Sequence, residues 1–169
     1  LEPLLRDFAA SAAVRDVAGG TAKRERDLIR ASGLLLQSIP HALGGGGADW
    51  IETLGTVRRI AAVDSSLAHL YAFHHLMLAT LQFFGERSQW EALLRETARR
   101  NWFWGNALNP LDPRTSLTPV EGGYRLSGSK SFCSGASDSD RLIVSALHAE
   151  HGGLVIATIP TARTGVRIH

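Results

Sequence analysis

The chain is nearly without cysteine and nearly without lysine. Cys133 is the single cysteine, so no disulfide can form within the chain and no cysteine cluster can hold a metal. A lone thiol fits a reducing compartment, and the cytoplasm is the expected location. Lys23 and Lys130 are the only lysines among 18 basic residues, and arginine supplies the rest. Against 16 acidic residues the net charge is only +2, which gives no reason to expect nucleic acid or a membrane surface as a partner. No apolar run approaches the roughly 20 residues that cross a bilayer. The start, Leu1-Glu2-Pro3-Leu4-Leu5-Arg6, lacks the basic opening and apolar core of a signal peptide. Nucleotide motifs are missing too. Residues 44–47 are all glycine, but they follow Pro40 rather than a strand and no Gly-Lys-Ser/Thr comes after them. With no Gly-x-Gly-x-x-Gly opening a helix, neither a P-loop nor a dinucleotide fold is expected.

What is present is a chain of 169 residues, 44% apolar and 20% charged, enough for one domain or two small ones. Its first hundred residues keep helical spacing. Residues 1–17 carry Leu4, Leu5, Phe8, Ala12 and Val14, and Gly19-Gly20 stop them. Thr21 is the expected cap of the next helix, which ends near Gly33. Asp49 caps a helix bearing Ile51, Leu54, Val57 and Ile60; Asp64 or Ser65 opens another that runs to Phe84; Ser88 caps the last. Near Asn101 the period changes. Trp102-Phe103-Trp104 is strand-like, a proline-marked loop follows at 109–113, and short strands are expected at 116–120, 124–127, 131–134, 141–147, 154–160 and 166–169. Helices first and strands second predict an α+β chain: an all-α helical domain over 1–100, then an antiparallel β-barrel-like domain over 101–169. The last residues, Gly165-Val166-Arg167-Ile168-His169, read as a strand just beginning, so the chain is expected to be the front of a longer protein with its β-domain incomplete.

Residues 122–136 are the most informative stretch. Tyr124 and Leu126 alternate with Arg125, and the segment reads as two strands folded about Ser127-Gly128. In the second strand, alternation places Phe132 and Ser134 on one face and Cys133 on the other. Nothing near Cys133 is arranged to make a thiolate, so it reads as a small buried residue. His74 and His75 point about 100° apart on one helix. Each suits proton transfer near neutral pH, and each equally suits a satisfied place in a core. His148 and His151, with Glu150 beside a Gly-Gly turn, read as a solvated loop, and no metal is expected.

Several passages resemble the acyl-CoA dehydrogenase superfamily, in its order, along almost the whole chain. They are Gly33-Leu34 with Ile39-Pro40 and the glycines at 44–47; Ala61-Ala62-Val63-Asp64-Ser65-Ser66; Phe84-Gly85 with Gln89; and Gly122-Gly123-Tyr124-Arg125-Leu126-Ser127-Gly128-Ser129-Lys130. Where the dehydrogenases carry Thr-Glu-Pro and Gly-Ser-Asp, residues 105–112 read Gly-Asn-Ala-Leu-Asn-Pro-Leu-Asp. That departure, with the histidine pair, resembles the flavin-dependent monooxygenase branch typified by dibenzothiophene monooxygenase. The resemblance implies FMN or FAD, received in reduced form from a separate flavin reductase. It implies a C4a-hydroperoxyflavin that inserts one oxygen atom into a small-molecule substrate, and a homo-oligomer, expected to be a tetramer. It also implies residue roles: Phe132 packing on the isoalloxazine ring, Ser134 and Asn106 bonding its edge, Trp104 walling the pocket, and His75 with Ser134 acting as the catalytic groups. Two alternatives stay open: an acyl-CoA dehydrogenase with FAD and a thioester substrate, and a truncated fragment without activity of its own.

Overall fold

The computed structural model describes residues 1–169. They separate into two compact units, Leu1–Phe103 and Trp104–His169, beside the change of hydrophobic period at Asn101. The first is helical and the second holds a five-stranded sheet, so the chain is α+β.

The helical unit contains α1 (Glu2–Ala18), α2 (Lys23–Ala31), α3 (Trp50–Ala61), α4 (Ser65–Phe84) and α5 (Arg87–Arg100). Helix starts need partners for amides that have none within the helix, and short polar side chains supply them. Asp49 accepts the Glu52 N–H at 2.8 Å while Glu52 accepts the Asp49 N–H at 3.1 Å, a reciprocal cap on α3. Asp64 accepts the Leu67 N–H at 2.9 Å and is also ion-paired with Arg15 of α1. Two expected caps are misplaced. Thr21 gives α2 no side-chain cap, since that helix starts after Ala22. Ser88 lies inside α5, whose entry is fixed instead by Gln89 Oε1 accepting the Glu86 N–H at 3.1 Å.

Helix α4 is the centre of this unit. Leu67, Ala68, Tyr71, His74, His75, Met77, Leu78 and Leu81 are all buried along it. Phe8 of α1, Ile29 of α2, Ile60 of α3, Leu35 and Phe103 join it in one core. Despite this apolar character, no helix of the chain is long and apolar enough to cross a membrane.

Between α2 and α3 the backbone is irregular apart from single 3-10 turns at Leu34–Leu36 and His41–Leu43. Its own glycine run satisfies part of it. The amides of Gly46, Gly47 and Ala48 donate to the carbonyls of Leu36, Ile39 and Gln37 at 2.9, 2.8 and 2.8 Å. At Gly45 a Cβ would overlap the Ile39 carbonyl, so only glycine permits this approach. The glycine amides are therefore spent on the chain itself and not on a phosphate.

The second unit contains β1 (Trp104–Ala107), β2 (Thr115–Val120), β3 (Gly123–Gly128), β4 (Arg141–His148) and β5 (Leu154–Pro160). Strand β4 is central, with Leu142 through Ala146 all buried, the burial of a strand covered on both faces. Antiparallel β5 follows one edge of β4, with Val144 opposite Ala157. The other edge is shared: β1 runs parallel to its first half, Asn106 opposite Ile143, and β2 runs parallel to its end, Leu117 opposite His148. The β2–β3 hairpin is antiparallel, with Leu117 opposite Leu126.

The sheet is thus mixed, not antiparallel, and it is open, not a closed barrel. Strand β1 reaches β4 by a long crossover through the hairpin, and such crossovers join parallel strands. Residues 131–134 and 166–169, expected as strands, are irregular, and the aromatic strand begins only at Trp104. Tyr124, expected half-buried, is 63% exposed on edge strand β3.

Asp64 combines a helix cap with a part-buried ion pair to Arg15. Asp64→Ala is expected to lower stability by about 2–4 kcal/mol, whereas Asp64→Asn, which keeps the capping oxygen, should cost clearly less. Urea unfolding at neutral pH checks this; equal losses would show that the cap contributes nothing.

Candidate functional site

The stretch after β3 does not continue as a strand because side chains pull it inward. Lys130 Nζ donates to the Asn109 carbonyl at 3.0 Å and the Asp112 carbonyl at 2.7 Å. Arg114 donates to both Asp112 carboxylate oxygens, at 2.8 and 2.7 Å, and to Ser131 Oγ at 2.6 Å. That guanidinium holds the Asp112 carboxyl well below the usual carboxylate range. The chain then turns at Phe132, whose φ of 58° is left-handed, a conformation that costs a non-glycine residue about 1–2 kcal/mol. The Ser134 N–H donates back to the Phe132 carbonyl at 3.1 Å, and the Ser134 carbonyl accepts the Asn106 N–H of β1 at 2.9 Å. Gly135 and Ala136 press on β1 so closely that a Cβ at Gly105 would lie 3.0 Å from both. Side-chain alternation applies to extended backbone only, so the shared face expected for Phe132 and Ser134 does not arise from alternation.

This folding gathers the expected cofactor residues of the second unit around the end of β1. Asn106 is 8% exposed; its Oδ1 accepts the Leu108 N–H at 2.9 Å, and its Nδ2 makes no hydrogen bond. The Nδ2 is not among the fully buried unpartnered atoms of the chain, so it is within reach of solvent and open to an acceptor from outside the chain. Phe132 is 93% exposed and Leu111, on the neighbouring loop, 92%. Both place apolar surface in water. Trp104 has no exposed surface and belongs to the buried core. Asn109 is occupied structurally: its N–H donates to Ser145 Oγ at 3.0 Å and its Oδ1 accepts the Leu111 N–H at 3.2 Å.

Beside this cluster lies a cleft of about 660 Å³, lined by Leu126, Lys130, Phe132, Cys133, Leu142 and Val166 among others. Burial pushes the Cys133 thiol up, against a smaller opposing pull from Lys130, so it stays protonated and is no nucleophile. Residues that the sequence reading passed over are Lys130 as a brace, with Arg114 and Asp112. The available signal was compositional: in an arginine-rich chain, a lysine directly after the hairpin is conspicuous.

His75 lies in the helical unit, fully buried. Its Nδ1 is 2.7 Å from Ser38 Oγ and its Nε2 3.1 Å from the Leu34 carbonyl. His74 Nε2 is 2.8 Å from the Leu35 carbonyl, and its ring stacks on Phe103 at 5.5 Å. Tyr71 donates to Gln37 Oε1. The pair thus grips consecutive carbonyls of one irregular turn. Carbonyls only accept, so His75 carries its proton on Nε2 and takes the Ser38 hydroxyl on Nδ1. Burial, with the neighbouring His74, holds the His75 pKa well below its ordinary value. A ring with both nitrogens engaged and no exposed surface is fitted to hold this turn.

Residues 4–101 match the family described as acyl-CoA dehydrogenase, N-terminal domain. The chain belongs to the acyl-CoA dehydrogenase family. Within reach of this family membership, the chain is 54% identical over 167 residues to a probable FMNH2-dependent monooxygenase, SfnC, of Pseudomonas putida, covering 98% of the chain and 42% of that protein. The structure of the methanesulfinate monooxygenase MsuC from Pseudomonas fluorescens superposes with a TM-score of 0.93 at 55% identity, over 96% of this chain and 42% of that one. The complex of TdsC from Paenibacillus sp. A11-2 with FMN and indole superposes with a TM-score of 0.91 at 38% identity, over 96% of this chain and 42% of that one. The chain therefore spans about two fifths of the length of these relatives.

The depressed His75 pKa has a direct consequence. In the unfolded chain the ring takes a proton below its ordinary pKa of 6.5, whereas the folded site resists it. Stability from this site is thus full above that value and is lost as pH falls toward the folded pKa. Urea midpoints measured from pH 7.5 to 5 should decline, and His75→Gln should flatten the decline; an unchanged slope in the variant would remove His75 as its source.

Proposed function

We propose that this chain forms part of a two-component flavin-dependent monooxygenase, and that the end of β1 with the 129–136 segment supplies one wall of its flavin site. The observation that carries the reading is the Asn106 side-chain amide at the end of β1: its Oδ1 is engaged by the Leu108 N–H, while its Nδ2 has no partner within the chain and stays within reach of solvent. The exposed Phe132 ring, held in a left-handed conformation, supports it, because a planar aromatic ligand would cover apolar surface that is otherwise left in water. The strong likeness to an FMNH2-dependent monooxygenase and to the FMN complex of TdsC supports the same group.

These residues fit a flavin. In this reading Asn106 donates from Nδ2 to an acceptor on the ring edge, and Phe132 packs against the ring face. Ser134, whose carbonyl is fixed on the Asn106 amide, offers its hydroxyl to the same region and is the residue proposed to assist the chemistry. Trp104 supports β1 from the core. The chemistry supplied by the bound group is activation of molecular oxygen, with transfer of one oxygen atom to a small organic substrate. The chain's part is to orient the ring and to exclude water from it. His75 is given a holding role on residues 34–38 rather than a chemical one. A separate reductase as the source of reduced flavin, a homotetrameric assembly and a cytoplasmic location belong to the same proposal.

The test is direct. The whole protein, given chemically reduced FMN and oxygen, should form an oxygenated product and bind FMN more tightly than does Asn106→Ala. Loss of one hydrogen bond to Asn106 should weaken FMN by about tenfold, since about 1.4 kcal/mol is one decade. Fluorescence titration reads this; equal affinity in the variant would remove Asn106 from the site. Bleaching of bound FAD by an acyl-CoA thioester, without oxygen, would instead assign the protein to the dehydrogenases.

A further inference from the structure

We infer that Lys130 is a positioning residue that locks the two loops of the candidate flavin wall together and so sets the stance of the Phe132 ring. This rests on the flavin reading above. The first loop, residues 106–114, carries Asn106. The second, residues 129–134, carries Phe132 and Ser134. At one end they are joined by the Asn106 N–H to the Ser134 carbonyl, 2.9 Å. At the other end the tie is Lys130, whose ammonium donates to two carbonyls of the first loop, Asn109 at 3.0 Å and Asp112 at 2.7 Å.

An ammonium is suited to this task. It has three donors and no acceptor, and it can reach two carbonyls that face the same way. Those carbonyls lie in irregular backbone outside any sheet or helix, where the Asn109 carbonyl has one turn partner, the Asp112 N–H at 3.2 Å. Hydrogen bonds with a charged donor are about twice as strong as neutral ones. The next residue, Ser131, is caught by Arg114 at 2.6 Å, and Arg114 is itself fixed on Asp112. A second tie beside the first leaves the chain at Ser131 little freedom, and Phe132 follows immediately. Its left-handed backbone is unfavourable alone and persists where the surroundings over-determine it. Lys130 and Arg114 are those surroundings. The ring meanwhile stays 93% exposed, so the braces act on its backbone and leave its faces open.

Two readings on the whole protein test this. Amide hydrogen exchange without flavin comes first: Lys130→Met should speed exchange in 109–114 and 129–134 together, with the rest of the second unit unchanged, and Lys130→Arg should restore protection. FMN affinity and quenching of flavin fluorescence come second. Lys130→Met should weaken FMN by about tenfold, yet in a Phe132→Ala background the same change should cost less than about twofold, because the braced ring is already gone. Equal loss in both backgrounds overturns the inference, since Lys130 would then act on the ligand or on the fold at large. Unchanged exchange in the two loops overturns it too. If Lys130→Met does not fold, Arg114→Gln takes its place with the same two readings. Wild-type protein that binds no flavin sinks the flavin reading and the purpose of the brace, while the exchange result still shows whether the loops are locked.

Discussion

Irregular backbone can be buried only if its amides and carbonyls find partners, and the turn at residues 34–38 and the loops around β1 both depend on that constraint. In the helical unit one helix supplies several partners of residues 34–38: Tyr71, His74 and His75 of α4 reach Gln37, Leu35, Leu34 and Ser38, beside Thr56 of α3 and the amides of Gly46 and Ala48. In the sheet unit the partners of the loops around β1 come from Lys130, Arg114 and Asn106. In each case a few polar side chains on or beside regular elements hold a segment that has no regular structure. The exposed ring of Phe132 and the unused amide of Asn106 are presented by this scaffold.

The histidine pair shows how the same residues read differently once their neighbours are known. Two adjacent imidazoles on a buried helix suggest acid–base chemistry. Their side chains diverge around the helix, which argues against one shared pocket, yet they serve one shared turn, bonding the Leu35 and Leu34 carbonyls respectively. The turn lies 39 and 41 positions away in sequence, and no local pattern announces such a contact.

Elements governed by their own sequence were legible. The caps at Asp49 and Asp64 and the stop at Gly85 form within a turn of the residues that cause them. The strands Thr115–Val120, Gly123–Gly128 and Leu154–Pro160 follow from short apolar runs between turn residues, but the hairpin turns at 121–122 and not about Ser127-Gly128 as expected. The misplaced elements are those whose state is decided from outside. Residues 131–134 have strand-like composition, but Arg114 and the Gly135–Ala136 contact with Gly105 bend them. The pairing of β1 with β4 spans the whole hairpin between them, so its parallel sense could not be read from either strand.

The amino-acid order alone therefore decided the α+β division, the positions of most helices and strands, and the family likeness carried by residues 32–47, 61–66 and 122–130. Each of these depends on residues within a few positions of one another. The three-dimensional fold decided where the reactive-looking groups stand: His75 bonds residues 34 and 38, burial pushes the Cys133 thiol up, Trp104 is buried, and Lys130 bonds the Asn109 and Asp112 carbonyls. A side chain's chemistry is set by the partners that satisfy it and by how much water reaches it, and both are supplied by residues far along the chain.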